Sequence, residues 1–224
     1  MRLFLIRHGE SVTNVHWDKI VENRELNSRL TEKGHTQASN LAEWMKLKVP
    51  QIDQIYTSSL QRTRETTKHF EDQYGITAIV DHRIREGGYS HTTGAPIEDD
   101  LLPMQKIADF HENPFQPFAK DPDHVESFND LRTRVGNFLA ELKEIHRDEN
   151  IIVIMHGWTL NALIDLIFNV GLYRSAYVYA VNTSLTYVEY RPDDRMGPWR
   201  VHFIAQTPHL DVSLYGLDPE DWEA

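Results

Sequence analysis

Two histidines are set apart by what surrounds them. His8 follows the apolar run Leu3-Phe4-Leu5-Ile6 and Arg7, His156 follows Ile151-Ile152-Val153-Ile154-Met155, and each is succeeded by glycine. Continuous apolar runs of this kind mark strands buried on both faces of a parallel sheet. Ligands of open α/β sheets bind at the carboxyl ends of such strands, so both imidazoles are expected in one crevice. Arg7 closes the first run, and Arg62 lies past a further strand candidate, Ile52 to Tyr56, and its polar turn Thr57-Ser58-Ser59.

Two imidazoles and two guanidiniums around one point suit a phosphoryl group. Guanidinium offers a rigid, permanently charged fork of N–H donors to phosphate oxygens. Preorganised cations favour the transition state of phosphoryl transfer, where charge spreads over the equatorial oxygens. An imidazole with an unperturbed pKa of about 6.5 is a competent nucleophile near neutrality. A backbone carbonyl accepting its other N–H would fix the tautomer and aim the lone pair. The leaving alkoxide needs a proton from a carboxyl group on the far side. Glu86, after the strand candidate Ala78-Ile79-Val80 and before Gly87-Gly88, is the candidate; Asp81 and Glu98 are the substitutes.

The elements that must position these residues are legible in outline. Glu10 and Ser11 start a helix whose free N–H groups favour an anion, and residues 15–29 read as a loop. Thr31 is a plausible N-cap for an amphipathic helix through Ala38, Leu41, Ala42 and Met45, ended by Pro50. A helix containing Arg62 follows. Residues 87–124, rich in Gly, Pro and aromatics, read as a lid-like insertion with some helix around 97–112. An amphipathic helix runs through Leu131, Val135, Phe138, Leu139 and Leu142, and another spans Thr159 to Phe168. Strands are expected near 176–181, 184–190 and 200–205, with 206–224 as a surface tail. No repeat or linker divides residues 1–224, so one α/β domain is expected.

The chain has 224 residues, no cysteine and a formal net charge of −11. Its length allows a real core. The lack of cysteine excludes disulfides, thiol catalysis and Cys-ligated metal. The acidic balance argues against a nucleic-acid or membrane-surface binder, yet a few converging arginines can still hold a small anion locally. No stretch reaches the roughly 18 apolar residues of a membrane span, and the N-terminal run is too short for a signal-peptide core. Cytoplasm is the expected compartment. His111, His124, His202 and His209 show no metal-ligand spacing, and Ser58-Ser59 reads as a turn and helix cap.

Taken in order, these segments resemble the histidine phosphatase superfamily, also called the phosphoglycerate mutase-like family. The resemblance runs through LIRHGES with Asn14, LTEKGHTQA (30–38), YTSSLQRTRET (56–66) and RIREGG (83–88), then VESFNDLRTRV (125–135), IIVIMHG (151–157) and NTSLTYVEY (182–190). It implies a three-layer α/β/α sandwich with a mostly parallel central sheet. It also implies His8 as phosphate-accepting nucleophile, Arg7, Arg62 and His156 as the phosphate pocket, and Glu86 as proton donor. Asn14, Ser11 and the backbone of Gly157 would join the phosphate network.

The implied reaction has two steps: phosphohistidine forms at His8 as the alcohol leaves, and water then hydrolyses it, with no metal or organic cofactor. The implied partner is a small phosphorylated substrate, and a homodimer through an edge strand is open. Two departures from the family pattern make the mouth individual: GGYSHTTGAP follows Glu86, and the bulky Trp158 follows Gly157. His16, Trp17, Arg24, Arg85, Tyr89, His91 and Trp158 are substrate-side candidates. The segments 15–30 and 87–124 do not reproduce those of the mutases, which favours a phosphatase over a mutase-type phosphoryl transfer. A non-catalytic phospho-ligand binder is the third reading.

Overall fold

The N-terminal apolar run forms strand β1 (Arg2–Arg7), and its side chains divide by parity between two helical layers. Leu3 and Leu5 pack with the helices Phe128–Ile145 and Gly157–Ile167, whereas Phe4 and Ile6 pack with Glu32–Lys48 and Gln61–Tyr74. A strand with apolar residues on both faces demands cover on both, which is why the run is unbroken. This computed structural model describes residues 1–16, 27–87, 115, 126–174 and 176–210. The expected helix around 97–112 and nearly all of the 87–124 insertion lie outside the described residues.

In chain order, β1 is followed by the one-turn helix α1 (Val12–Val15), α2 (Glu32–Lys48), β2 (Gln54–Thr57), α3 (Gln61–Tyr74) and the short β3 (Ile79–Val80). A 3-10 turn, His82–Ile84, precedes α4 (Phe128–Ile145), β4 (Asn150–Met155), α5 (Gly157–Ile167), β5 (Leu185–Tyr190) and β6 (Trp199–Gln206). The sheet order is β3-β2-β4-β1-β5-β6. The first four positions are parallel to their neighbours, and β5 and β6 run antiparallel at one edge. This is the expected α/β/α sandwich with a mostly parallel sheet. Among the described residues no helix is long and apolar enough to cross a membrane.

Local chemistry fixes the helix starts. Thr31 accepts from the Gly34 N–H at 3.0 Å, and Ser127 and Asp130 cap α4 reciprocally. Gly75, at φ +70°, closes α3 in the left-handed region.

The strand expected near 176–181 is absent. Its in–out alternation is real, with Tyr177 and Tyr179 exposed and Ala180 buried, but side chains take the backbone groups a ladder would use. Asn161 bonds both the N–H and the carbonyl of Val178, and Arg7 Nη1 donates to the Ala180 carbonyl at 2.5 Å. The first residues of the expected tail are packed: Gln206 ends β6, Thr207 is buried, and His209 meets the Thr183 hydroxyl at 3.0 Å, while residues 211–224 lie outside the described residues.

Behind His8, the chain after β1 is pressed onto the first turn of α2. A Cβ on Gly9 would lie 2.5 Å from the Gly34 carbonyl oxygen, and one on Gly34 would lie 2.0 Å from the Glu10 carbonyl oxygen. The contact is stitched by Thr31 N–H to Glu10 O at 2.9 Å, Glu10 N–H to Gln37 Oε1 at 2.9 Å and Lys33 to Glu10 at 3.0 Å. Gly to Ala inside a helix ordinarily stabilises by up to about 1 kcal/mol. Here the sign reverses, because the added carbon meets backbone that cannot rotate away. Gly34→Ala is expected to lower stability by about 1–3 kcal/mol, read as a reduced urea midpoint; an unchanged or raised midpoint would contradict the close approach.

Candidate active site

His8 and His156 are each the first residue beyond neighbouring parallel strands whose register pairs Arg7 with Met155. That register sets the two imidazoles side by side, with ring centroids 5.1 Å apart and planes inclined at 62°. His8 is 2 % exposed and His156 fully buried. The His8 N–H donates to Met155 O at 3.0 Å, and the His8 carbonyl accepts from Thr183 N–H at 3.2 Å and Asn182 Nδ2 at 3.1 Å. The backbone on which the imidazole is mounted is therefore held from both neighbouring segments.

The ring is oriented as a nucleophile requires. Nδ1 meets the Gly9 carbonyl at 2.7 Å, a contact that only an Nδ1–H tautomer satisfies. Nε2 then carries the lone pair and accepts from Arg62 Nε at 3.1 Å. Burial, then the charges of Arg62 and Arg7, hold the His8 pKa well below its usual value. His156 is pushed the same way by burial, then by Arg62 and its other cationic neighbours. Both rings are therefore neutral at physiological pH.

Arg62 sits in the first turn of α3, just past β2, and is 6 % exposed. Thr66, one turn on, donates to the Arg62 carbonyl at 2.7 Å and accepts from the Gly9 N–H at 3.0 Å, joining α3 to the His8 loop. Arg7 is fixed by the Ala180 carbonyl. Two buried nitrogens here, Arg7 Nε and His156 Nδ1, have no hydrogen-bond partner among the described residues. Buried polar groups are normally satisfied, and phosphoryl oxygens are acceptors that would complete both.

Glu86 lies after the strand Ile79–Val80, as expected, with the 3-10 turn His82–Ile84 and Arg85 between them. Its carboxylate caps α5, accepting from the N–H groups of Trp158 at 3.1 Å and Thr159 at 3.3 Å. A Cβ on Gly157 would be 3.9 Å from both Arg7 Nε and Glu86 Oε2, so the absent side chain leaves cation and carboxylate facing across the glycine. The residue is half-buried. Burial raises its pKa, against the opposing pull of Arg62, the Gly87 and Trp158 N–H groups and Arg7. Asp81, the substitute acid, is instead clamped by Arg83 at 2.6–3.1 Å.

The other expected residues fall less centrally. Asn14 is exposed, its amide oxygen accepting from Ser11 and from Asn182; no described hydrogen bond joins it to the four pocket side chains. Helix α1 is a single turn, with Ser11 and Asn14 bonded to each other at its start. The Trp158 ring packs edge-on to Phe128 at 5.9 Å while its N–H holds Glu86. The Arg85 carbonyl, like Glu86, is held by Thr159. His16 is exposed, and His202 stacks on Tyr187 at 4.3 Å on the outer part of the sheet. Trp17, Arg24, Tyr89, His91, Glu98, His111 and His124 lie outside the described residues.

Sequence reasoning missed several supports. Ser58, read as a turn residue, bonds His156 Nε2 at 2.9 Å; its position at the end of the strand flanking β4 was the available signal. Thr159 and Asn182 gave none, because their roles depend on which loops meet. Tyr179 is exposed, with its ring 6.5 Å from that of Tyr177.

The chain is similar to several known proteins. The sequence is 30% identical over 83% of the chain to a putative phosphoserine phosphatase 2 of Hydrogenobacter thermophilus, covering 87% of that protein. It is 26% identical over 95% of the chain to a probable phosphoglycerate mutase GpmB of Yersinia pestis, covering 96% of it. Among solved structures, YhfR of Bacillus stearothermophilus superposes with a TM-score of 0.69 at 26% identity, covering 93% of this chain and 98% of that one. A mycobacterial glucosyl-3-phosphoglycerate phosphatase complexed with VO3 superposes with a TM-score of 0.69 at 25% identity, covering 90% and 97% respectively. The family description that matches residues 3–201 is that of the histidine phosphatase superfamily, branch 1. With its two strand-end histidines neutral and flanked by Arg7 and Arg62, the chain belongs to that superfamily.

Proposed function

We propose that the chain is a phosphomonoesterase that hydrolyses a small phosphorylated metabolite through a phosphohistidine on His8, with Glu86 as proton donor. The carrying observation is the state of His8: neutral, fixed at Nδ1 by the Gly9 carbonyl, and turning Nε2 toward Arg62. The phosphatase names of the relatives support hydrolysis as the outcome.

In the first step His8 Nε2 attacks phosphorus, the P–N bond forms and the ester P–O bond breaks. Arg7, Arg62 and His156 take the equatorial oxygens, whose charge they meet without reorganising. Glu86, kept protonated to higher pH by burial, gives its proton to the leaving alkoxide. In the second step the resulting Glu86 carboxylate takes a proton from water as the water oxygen attacks phosphorus. The P–N bond breaks, inorganic phosphate departs, and His8 and protonated Glu86 are restored.

His8→Ala is expected to abolish phosphate release and the acid-labile phosphoenzyme that wild type accumulates after rapid mixing with a labelled ester. Turnover of this variant at the wild-type rate would remove His8 from the reaction. Interconversion of 2- and 3-phosphoglycerate dependent on a bisphosphate primer, without net phosphate release, would reassign the enzyme as a mutase.

Glu86→Gln should reduce the single-turnover rate of alcohol release from glycerol 2-phosphate by about 10²–10⁴-fold while leaving the burst of p-nitrophenol from p-nitrophenyl phosphate, whose leaving group needs no proton, far less affected. Equal losses would point to another acid. The pH dependence has a defined sign. Donor capacity is lost as pH rises through the raised Glu86 pKa, and His8 stays unprotonated well below pH 6.5. Wild-type activity on the alkyl ester should therefore peak on the acidic side of neutrality, and the alkaline fall should be absent for p-nitrophenyl phosphate.

A further inference from the structure

Glu86 belongs to a stretch, residues 85–87, with no regular structure and no ladder to hold it. Its backbone is instead held by one side chain from α4. Arg134 Nη1 donates to the carbonyls of Arg83 at 2.6 Å and Arg85 at 2.7 Å, and Nη2 donates to the Glu86 carbonyl at 2.9 Å. The remaining donors go to Glu126: Nε to Oε2 at 2.7 Å and Nη2 to Oε1 at 2.6 Å. These contacts use all five guanidinium N–H groups.

Glu126 is 2 % exposed. Its bidentate grip fixes the plane of the guanidinium, and that plane determines where the three carbonyls sit. The Thr159 hydroxyl adds a second donor to the Arg85 carbonyl at 2.8 Å. The segment is thus gripped from α4 through its backbone and from α5 through the Glu86 side chain. A lysine in place of Arg134 would supply at most three donors, with no planar fork to match both a carboxylate and a row of carbonyls.

We propose that Arg134, held in plane by Glu126, is a positioning residue for the proton donor: it sets the distance from the Glu86 carboxyl to the leaving oxygen. This rests on the reading of Glu86 as general acid. Misplacement of a catalytic group by about an ångström can cost on the order of 100-fold, and in the first step that loss falls only on esters whose leaving group needs a proton.

The test is Arg134→Lys, compared with wild type and Glu86→Gln on glycerol 2-phosphate and p-nitrophenyl phosphate, with circular dichroism and thermal melting as folding controls. The expected result is a fall of about 10- to 100-fold in the single-turnover rate of alcohol release from the alkyl ester. The burst rate of p-nitrophenol release should change by no more than about threefold, KM should be unchanged for both, and the alkaline limb of the alkyl-ester pH profile should be displaced. If Arg134→Lys fails to fold, the charge-free pair Arg134→Met with Glu126→Leu keeps the volume without stranding a buried charge, and is read the same way. Equal loss on both esters, or none on either, overturns the positioning role. If Glu86→Gln discriminates between the esters and the Arg134 variants do not, the donor assignment stands and the clamp falls. If Glu86→Gln itself does not discriminate, both fall.

Discussion

Everything at the site depends on the pairing of β1 with β4. Their parallel register delivers Arg7 opposite Met155 and so places the next residue of each strand, His8 and His156, at the same edge of the sheet. Both strands are buried on two faces, so their backbone groups must be satisfied within the sheet. β2 completes the edge on the far side of β4. It ends at Thr57, so Ser58 meets His156, and α3 carries Arg62 back to His8. A one-residue slip of β1 against β4 would turn the apolar faces over and part the imidazoles in the same motion.

Enclosing cationic side chains is costly unless something answers their charge. Arg7 and Arg62 face one carboxylate, Glu86, and two imidazoles held neutral. The pocket therefore keeps surplus positive charge within a chain of formal net charge −11. Screening confines the acidic surface to a range of about 8–10 Å at physiological salt, so an anion at the sheet edge responds chiefly to the guanidiniums. The same cations keep His8 unprotonated, and a nucleophilic nitrogen needs its lone pair free.

Glu86 experiences opposed pulls. Helix α5 and the two arginines favour its ionised form, while burial favours the neutral acid, and burial prevails. An acid that must release and regain a proton within one cycle is best placed near such a balance. The balance also makes location critical, and Arg134 holds the carbonyls of Arg83, Arg85 and Glu86 while Thr159 backs that of Arg85.

By itself the sequence determined the layers and that Arg7, His8, Arg62 and His156 would converge at one sheet edge. The unbroken runs at 3–6 and 151–155 could be nothing but doubly covered strands, and a charged or titratable residue ending such a run has to lie at the sheet edge. The sequence erred at 176–181, where genuine alternation met side-chain partners in Asn161 and Arg7 and not a neighbouring strand, and it could not see Ser58, Thr159, Asn182 or Arg134 as parts of the site. Periodicity reports which face of an element is buried, a property of neighbours along the chain. Which carbonyl an arginine 48 residues away will hold depends on where separate elements dock, and only the packed tertiary structure decided that.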